Sequence, residues 1–235
     1  MVKRSRRYLQ ICQEVDKNMF YSPDEALNLL KKVSSVHFTE TLEAHIILGL
    51  DPKYADQQLR STVILPQGSG KIVKVAVITQ GSNLDKAVNA GADVVGSQDL
   101  IEEILQGRLD FDKLIVTPDI MLLIAKLGRI LGPKGLMPSP KSGTVTNNLE
   151  SAINEFKAGK LEYKIDRSGI VHVPLGKLNF SVEALKLNLK ALRESIDKNK
   201  PAGSKGKYWK SLHLSSTMGP GIPIDINLFK DMNIG

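Results

Sequence analysis

The 235-residue sequence has a single cysteine, Cys12, so it can form no internal disulfide and no cysteine-cluster metal site. Long apolar runs are also missing. The longest near-continuous one, Ile120 to Ala125, falls far short of the roughly 20 residues that a membrane span needs. The start of the chain, Met1 to Arg7, is basic, but no apolar signal core or small-residue cleavage site follows it. The protein is therefore expected to act where it is made. Its four histidines, His37, His45, His172 and His213, are scattered with no pair at metal-ligand helical spacing, and neither a metal nor a cofactor is expected.

Hydrophobic residues make up 42% of the chain and charged residues 24%, the proportions of a folded domain rather than a disordered one. The net charge of +7 favours an anionic partner, either nucleic acid or an acidic membrane surface. The distribution of charge says more than the total. Between Asp119 and Glu150 there is no acidic residue, and Lys126, Arg129, Lys134 and Lys141 fall in that gap. A second acid-free stretch, Lys198 to Ile224, carries Lys200, Lys205, Lys207 and Lys210. Both are rich in glycine and proline and read as exposed loops rather than as solvated helix faces.

Ser22-Pro23-Asp24-Glu25 has the residues of a capping box with proline at the first helical position, and Leu27, Leu30 and Val33 follow at helical spacing. From Glu40 the apolar period becomes two, through Leu42, Ala44, Ile46, Leu48 and Leu50, which predicts a strand with one buried face. Thr62 to Leu65 is a second short strand. After Gly68-Ser69-Gly70, a predicted hinge, the pattern changes to strand–helix alternation. The strands are Val73 to Ile78, Val94-Val95 and Leu114 to Val116, and the helices follow Ser82, Ser97 and Asp119. Near Gly159 the first pattern returns. Leu161 to Ile165 and Ile170 to Val173 flank the turn Asp166-Arg167-Ser168-Gly169, Ser181 caps a helix striped with Leu185, Leu189, Leu192 and Ile196, and a last strand spans Tyr208 to Leu214. The expectation is a discontinuous two-domain protein: an α+β domain from residues 1–67 and 159–235, and an inserted α/β domain from 68–158. Gly68, Gly70 and Gly159 would be its hinges.

The inserted domain invites a nucleotide site, but the motifs are wanting. The turn after its first strand has one glycine, Gly81, where a dinucleotide fingerprint needs three. Gly135 to Ser142 has P-loop spacing, but Pro140 replaces the second glycine, and proline neither donates an N–H to phosphate nor takes positive φ. No G-x-S-x-G or H-E-x-x-H occurs, and Cys12, in a helix-like stretch, is assigned to buried-face packing. His45 and His172 lie in strands and read as satisfied structural histidines. The chain is expected not to be an enzyme. The segment from Lys126 to Lys141 remains open between a surface loop with incidental charge and a stiff phosphate-contacting loop.

Three clusters at strand ends attract notice: Phe38 to Glu43, Asp166, and Thr217-Met218-Gly219-Pro220. Each also has a plain account, with Phe38 in the core, Asp166 as a turn former and the last as a strand terminator. Together they offer hydroxyls, carboxylates and apolar groups, and carboxylates can accept from ribose 2′-hydroxyls and guanine amines.

Lys126-Leu127-Gly128-Arg129-Ile130-Leu131-Gly132-Pro133-Lys134-Gly135-Leu136-Met137-Pro138 resembles the signature segment of the ribosomal protein L-one family. So do Leu48 to Pro52, Gly91 to Gly96, Thr117 to Asp119, Gly143 to Val145 and Thr217 to Pro220, in the family's order from about Tyr8 to Pro220. The resemblance implies a Rossmann-like domain inserted into an α+β domain. It implies that the protein is a monomer within the ribosome and binds the stalk region of large-subunit rRNA. Release of deacylated tRNA from the exit site, and repression of its own mRNA in bacterial members, are implied as well. Carried over by position, the RNA-binding residues are Phe38, Thr41, Glu43, Asp166, Thr217, Met218 and Gly219. His37 departs from the family, whose members often carry a basic residue there. Asp51 to Tyr54 and Lys205 to Trp209 are similar to the cyanobacterial and plastid branch, and the 24 lysines against 8 arginines suggest an AT-rich genome. A plastid-encoded protein of the chloroplast stroma is the favoured setting, with a cyanobacterial cytoplasm as the alternative. Residues 221–235 receive no assignment.

Overall fold

A computed structural model describes residues 4–16, 18–81 and 83–230 of the protein. In chain order the elements are α1 Arg6–Glu14, α2 Pro23–Val33, β1 Thr41–Leu48, β2 Arg60–Ile64, β3 Val75–Ile78, α3 Asn83–Asn89, β4 Val94–Gly96, α4 Gln98–Leu105, β5 Lys113–Val116, α5 Met121–Ile124, α6 Gly128–Leu131, α7 Leu149–Ala158, β6 Lys160–Lys164, β7 Ile170–Lys177, α8 Val182–Lys198, β8 Trp209–Ser216, β9 Ile222–Ile224 and α9 Ile226–Lys230, joined in places by short 3₁₀ turns. The chain divides into two compact units. One runs to Gly70 and resumes at Glu162, and the other is Lys71–Leu161. The boundaries read from the sequence, after 67 and after 158, stand a few residues earlier.

The first unit is built on an antiparallel sheet in the order β7-β1-β8-β9. Burial alternates without a break along β1, so Leu42, Ala44, Ile46 and Leu48 face the core while Thr41, Glu43, His45 and Ile47 face the other way. Helices α2 and α8 pack on the core side. Helix α8 contributes its stripe of Leu185, Leu189, Leu192 and Ile196, and Ser181 caps it by accepting from the Ala184 N–H at 3.1 Å. The capping box of α2 forms reciprocally: Ser22 Oγ accepts from the Glu25 N–H at 3.3 Å, and Glu25 Oε2 accepts from the Ser22 N–H at 3.1 Å. Both outer strands contain proline, Pro174 in β7 and Pro223 in β9, which donate no ladder hydrogen bond.

The 166–169 turn forms as expected, but its flanking strands part after one bridge, Ile165 to Val171. Strand β6 joins β2 in a separate two-stranded sheet, while β7 joins β1. Strand β9 and helix α9 occupy part of the tail that received no assignment. Pro223 hides the strand signal there, because a proline at the centre of a three-residue run is legible as a strand only at an edge.

The second unit is a parallel sheet in the order β4-β3-β5 with helices on both faces. Val75, Val77 and Ile115 pack against α3 and α7 through Ala87, Leu149, Ile153 and Phe156. Ala76, Ile78, Leu114 and Val116 pack on the opposite side against Leu100, Ile104, Ile124, Leu127 and Leu131. Strand β3 is thus buried on both faces, as its uninterrupted apolar run requires. Ser82, read as the opener of α3, lies outside the described residues, and Ser97 precedes α4 without a side-chain capping bond. Helix α7 ends at Gly159, whose φ of 109° is left-handed and whose N–H closes onto the helix.

Candidate nucleic-acid interface

The interface begins with one buried carboxylate. Glu40 stands just ahead of β1 and is 1% exposed. Its Oε2 accepts from the Met218 N–H at 3.0 Å, and its Oε1 accepts from Ser34 Oγ at 2.9 Å. Burial pushes the Glu40 carboxyl up, but hydrogen bonds from Ser216, Met218 and Ser34, with the Arg7 charge nearby, outweigh that and hold it below its ordinary value. Arg7, on α1, donates from Nη2 to the Met218 carbonyl at 3.3 Å. The backbone of Met218 is therefore held from both sides while its side chain stays 46% exposed.

Thr217 is fastened to Thr41 in the same way. The Thr41 N–H donates to Thr217 Oγ1 at 3.0 Å, and the Thr217 N–H donates to the Thr41 carbonyl at 3.1 Å, which carries the β1–β8 ladder past the end of β8. Lys177 Nζ donates to Thr41 Oγ1 at 2.9 Å. A Cβ at Gly219 would meet Ser216 Oγ, so a larger residue there must turn that hydroxyl away from Glu40. Glu43 follows two residues along β1 on the same face, opposite Ser215.

The structure therefore brings together Thr41, Glu43, Thr217, Met218 and Gly219. Phe38, a few residues before Thr41, is 53% exposed, which overturns the plain account of it as a core residue. Asp166 stands at the far end of β7. Its Oδ1 accepts from the Ser168 and Ile170 N–H groups, both at 2.8 Å, which is the turn-forming role. The Ile170 bond, ahead of a smaller burial effect and with help from Ser168 and His172, holds the Asp166 carboxyl below its ordinary value. Arg7 and Lys177 carry no site signal in the sequence, whereas Glu40 lies within the 38–43 cluster and stands on the buried parity of the alternating strand.

The basic segment of the second unit needs correction as a loop. Lys126 lies in a 3₁₀ turn, Arg129 in α6 and Lys141 in another 3₁₀ turn, and Lys134 alone sits in an irregular stretch. Ile124, Leu127 and Leu131, buried at helical spacing, wind the chain here despite its glycines. All four basic side chains are exposed. At the end of the P-loop-like stretch, the Ser142 and Thr144 hydroxyls lie 2.9 Å apart and within hydrogen-bond reach of the Ser139 carbonyl, so that one of them donates to the carbonyl and the other to its neighbouring hydroxyl. Those groups knit the segment together and are not turned toward a phosphate. Gly68 and Gly70 have φ of 67° and 71°. In α1 it is Ile11 that is buried, whereas Cys12 is only partly covered, so the packing role assigned to the cysteine falls to its neighbour.

The strand-end cluster thus offers hydroxyls, a carboxylate and exposed apolar groups on a backbone anchored by a buried acid, with the residue types of a binding surface rather than of a catalytic one. Over residues 30–220 the chain matches, and it belongs to, the Ribosomal protein L1p/L10e family, whose members are structural parts of the ribosome and not enzymes. Among curated proteins it is 66% identical, over 98% of each chain, to large ribosomal subunit protein uL1c of Gracilaria tenuistipitata var. liui. It is 59% identical to uL1c of Guillardia theta over 99% of each chain. Against large ribosomal subunit protein uL1 of Rippkaea orientalis the identity is 57%, covering 99% of this chain and 98% of the relative.

Proposed function

We propose that the protein is a constituent of the large ribosomal subunit in a plastid and that its first unit grips the stalk region of the rRNA. Several relatives carry the plastid-type name uL1c, which supports the setting. The observation that carries the RNA reading is the double anchoring of Met218, by Glu40 at its N–H and by Arg7 at its carbonyl. A contact surface whose backbone is fixed before binding loses little entropy when RNA arrives. Thr41, Glu43, Thr217 and Gly219 then read ribose hydroxyls and base edges, while Phe38 and Met218 cover apolar faces. Asp166 extends the surface to the other end of β7. Lys126, Arg129, Lys134 and Lys141 add phosphate contacts from the second unit. Gly68, Gly70 and Gly159 let that unit swing as deacylated tRNA leaves the exit site, and the same first-unit surface would accept the protein's own mRNA.

A competition titration at fixed salt, stalk rRNA fragment against unrelated structured RNA, tests this reading. The wild-type protein should prefer the stalk fragment. Met218→Asp should weaken binding by more than about tenfold, because a carboxylate would replace an apolar contact against a polyanion. Equal affinity for both RNAs, or an unchanged Met218→Asp variant, would remove the cluster from the interface.

A further inference from the structure

Three of the four histidines that look scattered in the sequence, His45, His172 and His213, are neighbours in the fold. Antiparallel pairing sets His45 opposite His172 on one side and opposite His213 on the other, all on the sheet face turned away from the core. The rings of His45 and His172 meet edge to face with centroids 5.0 Å apart, and their Nδ1 atoms are 2.7 Å apart. Two imidazole nitrogens at that distance must share a proton, since two bare lone pairs would repel. His45 Nε2 is 2.8 Å from Ser215 Oγ, and His172 Nε2 is 3.7 Å from Asp166 Oδ2. Asp166, His172, His45 and Ser215 thus form a polar track across the sheet. Glu43 lies beside it and leads on to Thr41 and Thr217. The track links the two ends of the surface assigned to RNA.

The titratable groups facing His45 are His172 on β7, Asp166 in the turn before it, His213 on β8 and Glu43 on β1 itself. Lys177 lies further along the same face at Thr41, and Arg167 is exposed in the turn. Burial, with His172 and His213 beside it, pulls His45 below its ordinary value against a weaker upward pull from Glu43. Burial does the same to His213. The neutral pair holds one bridging proton and can take up one more, an uptake that burial opposes at His45. A polyanion laid over this face would supply the missing stabilisation.

We propose that the His45–His172 pair is a proton-dependent phosphate contact in the RNA surface, so that RNA binding draws a proton onto the pair and tightens as the solution becomes more acidic. This rests on the RNA reading of the first unit. The sign follows from the state that RNA prefers. If bound RNA raises the affinity of the pair for a proton, lowering the pH must raise the affinity for RNA by the same coupling.

The test is the affinity of the intact protein for the stalk rRNA fragment from about pH 8 to about pH 6 at constant salt. Wild-type affinity should rise by about threefold to tenfold, and His45→Gln/His172→Gln should rise by less than about twofold, once matched circular dichroism shows it to be folded. Calorimetry on the wild type in two buffers of different ionisation enthalpy should register net proton uptake near neutral pH, a measurement that needs no variant. Equal pH dependence in both proteins, a flat wild-type profile or no proton uptake would each overturn the proposal. Failure of the wild type to prefer the stalk fragment at any pH would instead overturn the RNA reading itself, and the pair's role with it.

Discussion

Glu40 shows how a buried residue can fix the backbone of the proposed RNA surface. Its carboxylate is buried and accepts from Ser34 and from the Met218 backbone, so Glu40→Gln leaves at least one donor poorly matched. The variant should lose about 1–3 kcal/mol of stability near neutral pH, read by urea unfolding, and should bind RNA less tightly. The pH dependence follows from the depressed carboxyl. A group whose folded-state pKa lies below its ordinary 4.5 stabilises the fold fully above that value and loses the contribution as pH falls through the folded-state pKa. The gap between wild type and Glu40→Gln should therefore be full at neutral pH and close as the solution is acidified below 4.5. Gly219→Ala makes a second case, since its Cβ meets Ser216 Oγ, the same hydroxyl that bonds Glu40. Its effect should appear as lost RNA affinity with circular dichroism unchanged.

Elements that rest on local chemistry were legible from the sequence, and those that rest on long-range pairing were not. Ser22→Ala should cost about 1 kcal/mol in unfolding experiments, because the Ser22 side of the capping box disappears while Glu25 remains. Gly159→Ala should cost about 1–3 kcal/mol, since φ is 109° there and an alanine must either strain or uncap α7. The capping box, the alternation of β1, the turn at Asp166 and the stripe of α8 all depend on residues within one or two turns of each other, and each could be read directly. Helix α7 carries a local signal of the same kind, since Asn148 caps it and Leu149, Ile153 and Phe156 repeat helically. The exposure of Phe38 lies beyond local pattern, since hydropathy would bury it, while the burial of Glu40 shows only in its place on the core-facing parity of the strand. The histidine row is further out of reach, as it exists only through the registers of β7 and β8 on β1.

On the scale of the whole molecule, a charge of +7 is spread over two units to which the proposed function gives different tasks. Replacing Lys126, Arg129, Lys134 and Lys141 together by alanine should lower RNA affinity most at low salt and flatten its salt dependence, while the preference for stalk RNA over unrelated RNA persists. Filter binding across a salt series would show this, and a lost preference would place sequence recognition in the second unit instead. The prolines of the first unit's sheet matter at the same scale. Pro174 and Pro223 stand in its two outermost strands, where a flat, fully paired edge would template the addition of strands from other chains. In a chain synthesised ahead of its RNA these strands are the two margins of the sheet, and Tyr21 already pairs with the one at β9 by donating to the Pro223 carbonyl and accepting from the Asp225 N–H. With an N–H missing from each, surplus copies are poor partners for one another, and the protein can wait, dispersed, for assembly.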